Sequence, residues 1–307
     1  MRASIGAVDP PPVAKYAAAS LAAGNPVLSY RHSFHAGNLA DVLKHSILTA
    51  VLDAAVSKPN PLVYIDTHSG AGIYQFDDAT AARAEHRAGI DPLRASDRHD
   101  APNCVAHYLE CVDGYNAGAT TVRYPGSAVI ASRLLRDTDR LMLFERHPVD
   151  AQALAYTLRA DPRVSVELCD GYAQLKAALP PRERRGVVLI DPAYELADEP
   201  TQVVDALRAA LSRFRHGVYL VWYPLHGKHD PATLKRHFRR LDPPKTLCIE
   251  LDPRLPATPG ATGSGVLVLN PPFQAVAELA ALTSFLGRRL APGGRAICEW
   301  LIPETAS

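Results

Sequence analysis

Asp191-Pro192-Ala193-Tyr194 is the segment of this chain whose residue types point to the most specific chemistry. An exocyclic amine on a nucleobase is a poor nucleophile, because its lone pair is delocalised into the ring. A carboxylate and a neighbouring backbone carbonyl can accept its two hydrogens, draw the nitrogen toward tetrahedral geometry and free the pair for in-line attack on a sulfonium methyl. Asp191 supplies the carboxylate, Pro192 fixes the turn that aims its carbonyl, and Tyr194 offers a ring on which a base can stack. Such tetrapeptides also form ordinary turns, so position matters. The reading requires Asp191 at an exposed strand end, facing a ligand crevice and not buried in a salt bridge.

Three other strand ends could build that crevice. Asp66-Thr67-His68-Ser69-Gly70-Ala71-Gly72 carries two glycines, Gly70 and Gly72, that let a turn approach a nucleoside cofactor closely; the same loop suits a dinucleotide or a plain tight turn. Glu145 can accept both ribose hydroxyls, or cap the helix that starts near Pro148. Asp170-Gly171 can accept from a cofactor adenine amine, or form a turn or N-cap. Asn270-Pro271-Pro272-Phe273 resembles the catalytic tetrapeptide, but it follows the seventh strand, far from such a crevice, and reads as a structural turn.

The elements that position these residues follow from periodicity. Helical spacing runs from Leu39 to Ala55, with Asn38 as N-cap and Lys58-Pro59 as its end. Strands are expected at 62–66, 141–145, 164–168, 187–191, 218–222, 246–251, 265–270 and 295–301. Helices are expected near 148–160, 172–179, 201–214, 232–241 and 274–290. This alternation predicts an α/β fold, a mostly parallel sheet with helices on both faces, and ligands bind outside the carboxyl ends of such strands. The interval 75–137 has no clear strand and is too long for a loop, so an inserted, mainly helical subdomain is expected there, between core segments 28–74 and 138–304. Residues 1–27, rich in Ala and Pro, read as a flexible extension.

With 33 Lys and Arg against 32 Asp and Glu, net charge is +1, which gives no global bias toward nucleic acid. Any RNA affinity must come from local patches: Arg182, Arg184 and Arg185, or Lys235, Arg236, Arg239 and Arg240. No apolar run is long enough to span a membrane, and no secretory signal is visible. Five scattered cysteines without a C-x-x-C pair suggest reduced thiols in the cytoplasm. His226 and His229 lack a third ligand, and the chemistry proposed needs no metal.

The run Leu28-Ser29-Tyr30-Arg31-His32-Ser33-Phe34-His35-Ala36-Gly37-Asn38, followed by Asp41-Val42-Leu43-Lys44-His45, closely resembles the start of the RlmJ family. The likeness continues through Asp66 to Gly72, Tyr124-Pro125-Gly126-Ser127, Glu145-Arg146-His147-Pro148, Asp170-Gly171, Arg184 to Tyr194, Trp222-Tyr223-Pro224, Gly263 to Pro272 and Trp300 to Glu304. The resemblance implies a Rossmann-like class I S-adenosylmethionine-dependent methyltransferase with a helical insertion, acting on the N6 of one adenine in 23S ribosomal RNA. It implies that His45, His68, Ser127, Glu145, Asp170, Gly171 and Asp191 line the S-adenosylmethionine site with Lys44 nearby, and that Asp191 is the catalytic carboxylate. Tyr30 resembles the tyrosine that reaches the substrate base, with His32 beside it. Two departures stand out: Ala193 replaces the second proline of D-P-P-Y, which loosens the turn, and Leu39 stands where histidine is common. Family chains usually begin just before Leu28, so residues 1–26 are expected to precede the native start, with Val27 the initiator. A monomer is expected.

Three other functions fit parts of the pattern. A DNA adenine methyltransferase would use the same strand ends with base flipping. A non-catalytic RNA-binding relative is suggested by Ala193 alone. A nicotinamide-dependent oxidoreductase has no use for Asp-Pro-Ala-Tyr.

Overall fold

The computed structural model describes residues 35–76, 85–116, 118, 121–228, 230–253 and 263–304. Tyr30, His32, His229 and the extension 1–27 lie outside the described residues. The Asn38 side chain accepts from the Asp41 amide at 2.9 Å and starts helix α1 (Leu39–Val56). Helix α1 is buried along most of its length, including Asp41, Lys44, His45 and Thr49, so it is an enclosed helix and not a surface one. Strand β1 (Val63–Asp66) is buried at all four positions, as a central parallel strand must be.

Between β1 and strand β4 (Arg140–Glu145) come β2 (Ile73–Gln75), α2 (Ile90–Ala95), α3 (Asn103–Asp113), β3 (Arg123–Pro125) and α4 (Ser127–Leu134). Strands β2 and β3 pair antiparallel into a separate ribbon of three residues each, too short to leave a periodic trace in the sequence. Helix α3 packs on α1 through Tyr108 and Leu109, while α4 packs on α1, β1 and β4. The remaining elements are α5 (Pro148–Thr157), β5 (Val164–Leu168), α6 (Gly171–Ala178), β6 (Gly186–Ile190), α7 (Glu199–Arg213), β7 (Val218–Pro224), α8 (Pro231–Arg239), β8 (Thr246–Asp252), β9 (Ser264–Leu269), α9 (Phe273–Leu290) and β10 (Arg295–Ile302).

All eight expected strands form one sheet, ordered β10-β8-β9-β7-β6-β1-β4-β5. β7, β6, β1, β4 and β5 pair parallel; β9 runs against β7 and β8, and β10 against β8, so only β9 and β10 point the other way. One apolar core joins a sheet face to α1, α3, α4 and α9, and a second joins the opposite face to α6, α7 and α8. The chain leaves β1 toward β4 and β5, then returns to β6 on β1's other side. The carboxyl ends of β1 and β6 therefore flank the switch point, where ligands bind in such sheets.

Asn270-Pro271-Pro272-Phe273 follows β9, whose end lies at the opposite edge of the sheet. Asn270 adopts φ +50° and donates to the Arg215 and Gly217 carbonyls at 2.8 Å each, which makes it a structural turn. Among the described residues no helix is long and apolar enough to cross a membrane, and no group of His, Cys, Asp and Glu could hold a metal ion. His226 instead contacts Asp252 at 3.1 Å.

Candidate active site

A cleft of about 360 Å³ opens at the carboxyl ends of β1, β4, β5 and β6. Lys44, His45, His68, Gly70, Ser127, Glu145, Asp170, Gly171, Asp191 and Pro192 all line it. These residues come from six separate stretches of chain, and the parallel sheet delivers them to one edge.

The floor is a hydrogen-bonded network around Asp66, which is fully buried at the end of β1. Asp66 accepts from Tyr64 Oη at 2.7 Å, from Ser127 Oγ at 2.6 Å and from the His68 amide at 3.1 Å. Burial pushes its carboxyl up from the ordinary range, while those donors pull it back down. Its role is to hold the loop after β1 and the start of α4 in place. His68 is pushed down to about 4 by burial, against the attraction of Asp191 and Asp170, so its ring is neutral at physiological pH.

Gly70 adopts φ +62°, and a Cβ there would lie 2.0 Å from Tyr74 Oη. Its amide donates to Glu145 Oε2 at 2.7 Å, and the His147 amide donates to Oε1 at the same distance. Glu145 thus ties the glycine loop to the start of α5 while its side chain lines the cleft. Burial pushes its carboxyl up to about 7. Gly171 packs even more closely: a Cβ there would lie 2.0 Å from the Thr67 carbonyl oxygen. Asp170 caps α6 with Oδ1, accepting from Tyr172 N at 2.9 Å and Ala173 N at 3.3 Å, which leaves Oδ2 for a ligand. His45 is buried, its Nδ1 is 2.7 Å from Tyr124 Oη, and its ring stacks on Tyr124 at 5.6 Å.

Three expectations need correction. Gly72 does not line the cleft; its φ is +84° and its missing side chain makes room for Leu154 of α5, so it serves packing. Tyr194 is only 6% exposed and is absent from the cleft wall. Its φ of +53° turns the ring inward, where Oη donates to the Trp222 carbonyl at 3.0 Å and the ring meets the indole edge-on at 5.5 Å. Trp222 lines the cleft in its stead, held by Nε1 donating to Ser264 Oγ at 2.8 Å.

The third correction concerns Asp191. It is not an exposed, unpaired carboxylate: its side chain is 12% exposed and Oδ2 accepts from Lys44 Nζ, which also donates to Asp41 Oδ1 at 2.7 Å. Burial works to lower the Lys44 pKa, but Asp191 and Asp41 overcome it and hold the ammonium charged, above the usual lysine range. The salt bridge does not close the site, because both partners line the cleft. Among the described residues, Asp191 Oδ1 and the Pro192 carbonyl accept no other hydrogen bond.

Several cleft residues had no readable chemistry in their spacing. Asp41 and Trp222, with Tyr124 buried behind His45, lie within runs that match the family, yet nothing in the chain order shows that Asp41 and Asp191 share one ammonium, or that Trp222 stands on the cleft wall.

Sheet order, switch-point cleft and glycine cradle together define a Rossmann-like class I methyltransferase. The family model described as "Ribosomal RNA large subunit methyltransferase D, RlmJ" matches residues 59–302. Ribosomal RNA large subunit methyltransferase J of Escherichia coli K12 is 39% identical over 91% of this chain and all of its own length. The Haemophilus influenzae protein of that name is 40% identical over the same shares. The crystal structure of protein LPL1258 from Legionella pneumophila superposes with a TM-score of 0.80 at 36% identity, covering 87% of this chain and 98% of that one. The chain belongs to the RlmJ family.

Proposed function

We propose that this protein transfers a methyl group from S-adenosylmethionine to the exocyclic N6 of one adenine in 23S ribosomal RNA, acting as a cytoplasmic monomer. The observation that carries the reading is the Asp191 corner: one carboxylate oxygen is fixed by Lys44 while the other, with the Pro192 carbonyl, accepts no hydrogen bond among the described residues. Two acceptors on one rigid turn suit the two hydrogens of an amine.

The cleft fits the cofactor. Gly70 and Gly171 occupy positions where any side chain would collide, as a backbone cradle for a nucleoside demands. Glu145 would accept the ribose hydroxyls, Asp170 Oδ2 the adenine amine, and His45, His68 and Ser127 would border the methionine part. When bound, the sulfonium supplies an electrophilic methyl group. Asp191 and Pro192 orient the target amine and, by accepting its hydrogens, keep its lone pair available for attack. Lys44 holds Asp191 in that rotamer and is itself held by Asp41. The inserted, mainly helical subdomain is assigned to 75–137, and Tyr30 and His32 are assigned to the RNA substrate on resemblance alone.

Trp222, not Tyr194, presents the ring for base stacking. Tyr194→Phe is expected to keep the KM for RNA and to lower stability by about 1 kcal/mol through the lost bond to the Trp222 carbonyl. Trp222→Ala is expected to raise the KM by about 10-fold, in line with roughly 1–3 kcal/mol per stacked base. The reverse pattern would return the stacking role to Tyr194.

Glu145 makes cofactor affinity pH-dependent. With its carboxyl at about 7, it is neutral in the free protein below that pH and has then lost acceptor strength toward ribose hydroxyls. Its contribution to stability has the opposite sense: present below the ordinary glutamate range near 4.5, it is lost as pH rises through about 7. S-adenosylmethionine binding should therefore weaken as pH falls below 7 and release protons there. Calorimetry in buffers of differing ionisation enthalpy measures this, and a flat affinity from pH 5.5 to 8 would remove Glu145 from the ribose.

The test of the whole reading offers labelled cofactor with protein-free large-subunit RNA, assembled subunits and duplex DNA. Label confined to DNA, or cofactor binding with no transfer to any polymer, overturns it.

A further inference from the structure

The two arginine-rich segments end in different circumstances. Arg185 donates to the Ala55 carbonyl at 2.7 Å and to the Asn60 carbonyl, closing the end of α1, and Arg182 pairs with Glu183 at 3.0 Å. That segment precedes β6, at the edge of the sheet opposite the cleft, and Arg185 serves the fold while Arg182 is exposed.

Helix α8 differs. Its sequence, Pro231 to Arg239, contains Lys235, Arg236, His237 and Arg239 without one acidic residue, and Arg240 is its C-cap. Leu234 and Phe238 are buried against the sheet, so helical spacing turns Arg236 and Arg240 to the outer face, and Arg239 is exposed beside them. Lys235 is taken up by Glu250 at 2.6 Å. Arg236 donates to Thr233 Oγ1 at 2.6 Å and is attracted by the Asp230 cap carboxylate without a direct ion pair, while among the described residues Arg239 and Arg240 have no carboxylate partner. Several other arginines are neutralised locally, as in Arg94–Asp113, Arg140–Glu183 and Arg163–Asp161, whereas Arg159 and Arg184 stand singly without an ion pair among the described residues. In a chain of net charge +1, three exposed guanidinium groups within five residues, none of them in a direct ion pair and only Arg236 near a carboxylate, are a concentrated local excess.

The placement is specific as well. Helix α8 follows β7, whose Trp222 and Pro224 line the acceptor side of the cleft, and packs beside α7, whose first-turn Glu199 and Gln202 also line it. The helix begins on the cleft side and runs away from it along the flank of the sheet. Arg236 therefore stands nearer the cleft, while Arg239 and Arg240 lie toward the start of β7, where Arg215 donates to the Asp242 carbonyl at 2.9 Å.

We infer that the outer face of α8, with Arg236, Arg239 and Arg240, is a phosphate-binding track for the RNA substrate. This rests on the RNA reading above. The arginines act on the polymer's backbone, remote from the transferred methyl. They set RNA affinity and its salt dependence and leave the chemical step alone.

The test compares the full-length protein with the Arg236→Gln/Arg239→Gln/Arg240→Gln variant. A second triple, Arg159→Gln/Arg182→Gln/Arg184→Gln, removes the same charge at the far edge of the sheet. RNA affinity is measured against salt concentration on protein-free large-subunit RNA, alongside cofactor affinity and turnover at saturating RNA. The α8 variant is expected to lose at least about tenfold in RNA affinity at low salt, and the slope of log K against log salt is expected to shrink by about 2, as for three contacts on a single strand. Turnover at saturation, cofactor affinity and melting temperature should match the parent, and the far-edge triple should keep the parent slope. An unchanged slope in the α8 variant, or an equal loss in both triples, overturns the assignment. Failure of the parent protein to methylate RNA at all would instead strike the proposed function, so the two outcomes are distinct.

Discussion

Asp191→Asn is expected to bind S-adenosylmethionine much as the parent protein does and to methylate ribosomal RNA about 10²- to 10³-fold more slowly, the loss typical of removing one preorganised polar group from a reacting centre. Asparagine keeps the shape and can still accept from Lys44 through its carbonyl. What it loses is the charge that makes the free oxygen a strong acceptor for the amine, so the effect should fall on kcat. Asp191→Ala is a different experiment. It would leave the Lys44 ammonium, 4% exposed, with Asp41 alone. Stripping a buried charge of its partner costs about 3–5 kcal/mol, and the surviving Asp41 bond should keep the penalty below that range. Single-turnover methyl transfer at saturating RNA, paired with thermal unfolding, separates the two effects. An asparagine variant that turns over at the parent rate would end the claim that this carboxylate activates the amine.

Gly171→Ala is expected to be the most damaging single-methyl change in the cleft. The added Cβ would sit 2.0 Å from the Thr67 carbonyl oxygen and 2.8 Å from both the Thr67 carbonyl carbon and Cα. All three are backbone atoms of the loop after β1, and the Thr67 amide is itself anchored to the Leu189 carbonyl at 3.1 Å. No side-chain rotation relieves the collision, so either that loop or the start of α6 must move. Overpacking of this kind costs about 1–3 kcal/mol. The functional loss should be larger, because an ångström of misplacement in a positioned site can cost about 10²-fold. Calorimetric titration with S-adenosylmethionine reads this directly. Gly293→Ala is the control: its φ is +75° but nothing lies within 4 Å of the added carbon, so backbone strain appears without loss of cofactor binding. Equal cofactor affinity in the two variants would show that close approach at Gly171 is not what shapes the cradle.

The strand ends were legible because their signal is local. Each of 62–66, 141–145 and 187–191 is a short apolar run ending in a carboxylate, as suits central parallel strands, while 164–168 alternates apolar and polar residues as suits the half-exposed edge strand it forms. Asn38 as a cap, and a turn at Asn270, follow from side-chain chemistry within a few residues. Strands β2 and β3 escaped notice because three residues carry no period; their pairing is set by contact between positions about 50 apart.

By itself, then, the order of residues determined that this chain is a parallel α/β protein, which carboxylates stand at strand ends, and that one of them begins a turn suited to an exocyclic amine. Only the tertiary structure decided how those groups are used. Lys44 and Asp191 are 147 residues apart, and their pairing depends on an enclosed helix meeting the end of β6. A left-handed φ at Tyr194 sends its ring into the core and leaves Trp222 on the cleft wall. The two arginine clusters read alike in sequence, yet Arg185 of one closes a helix end while the other lies exposed on the outer face of α8. Local propensity has a range of a few residues, whereas burial and charge pairing are settled by whichever distant groups the fold brings within about 4 Å.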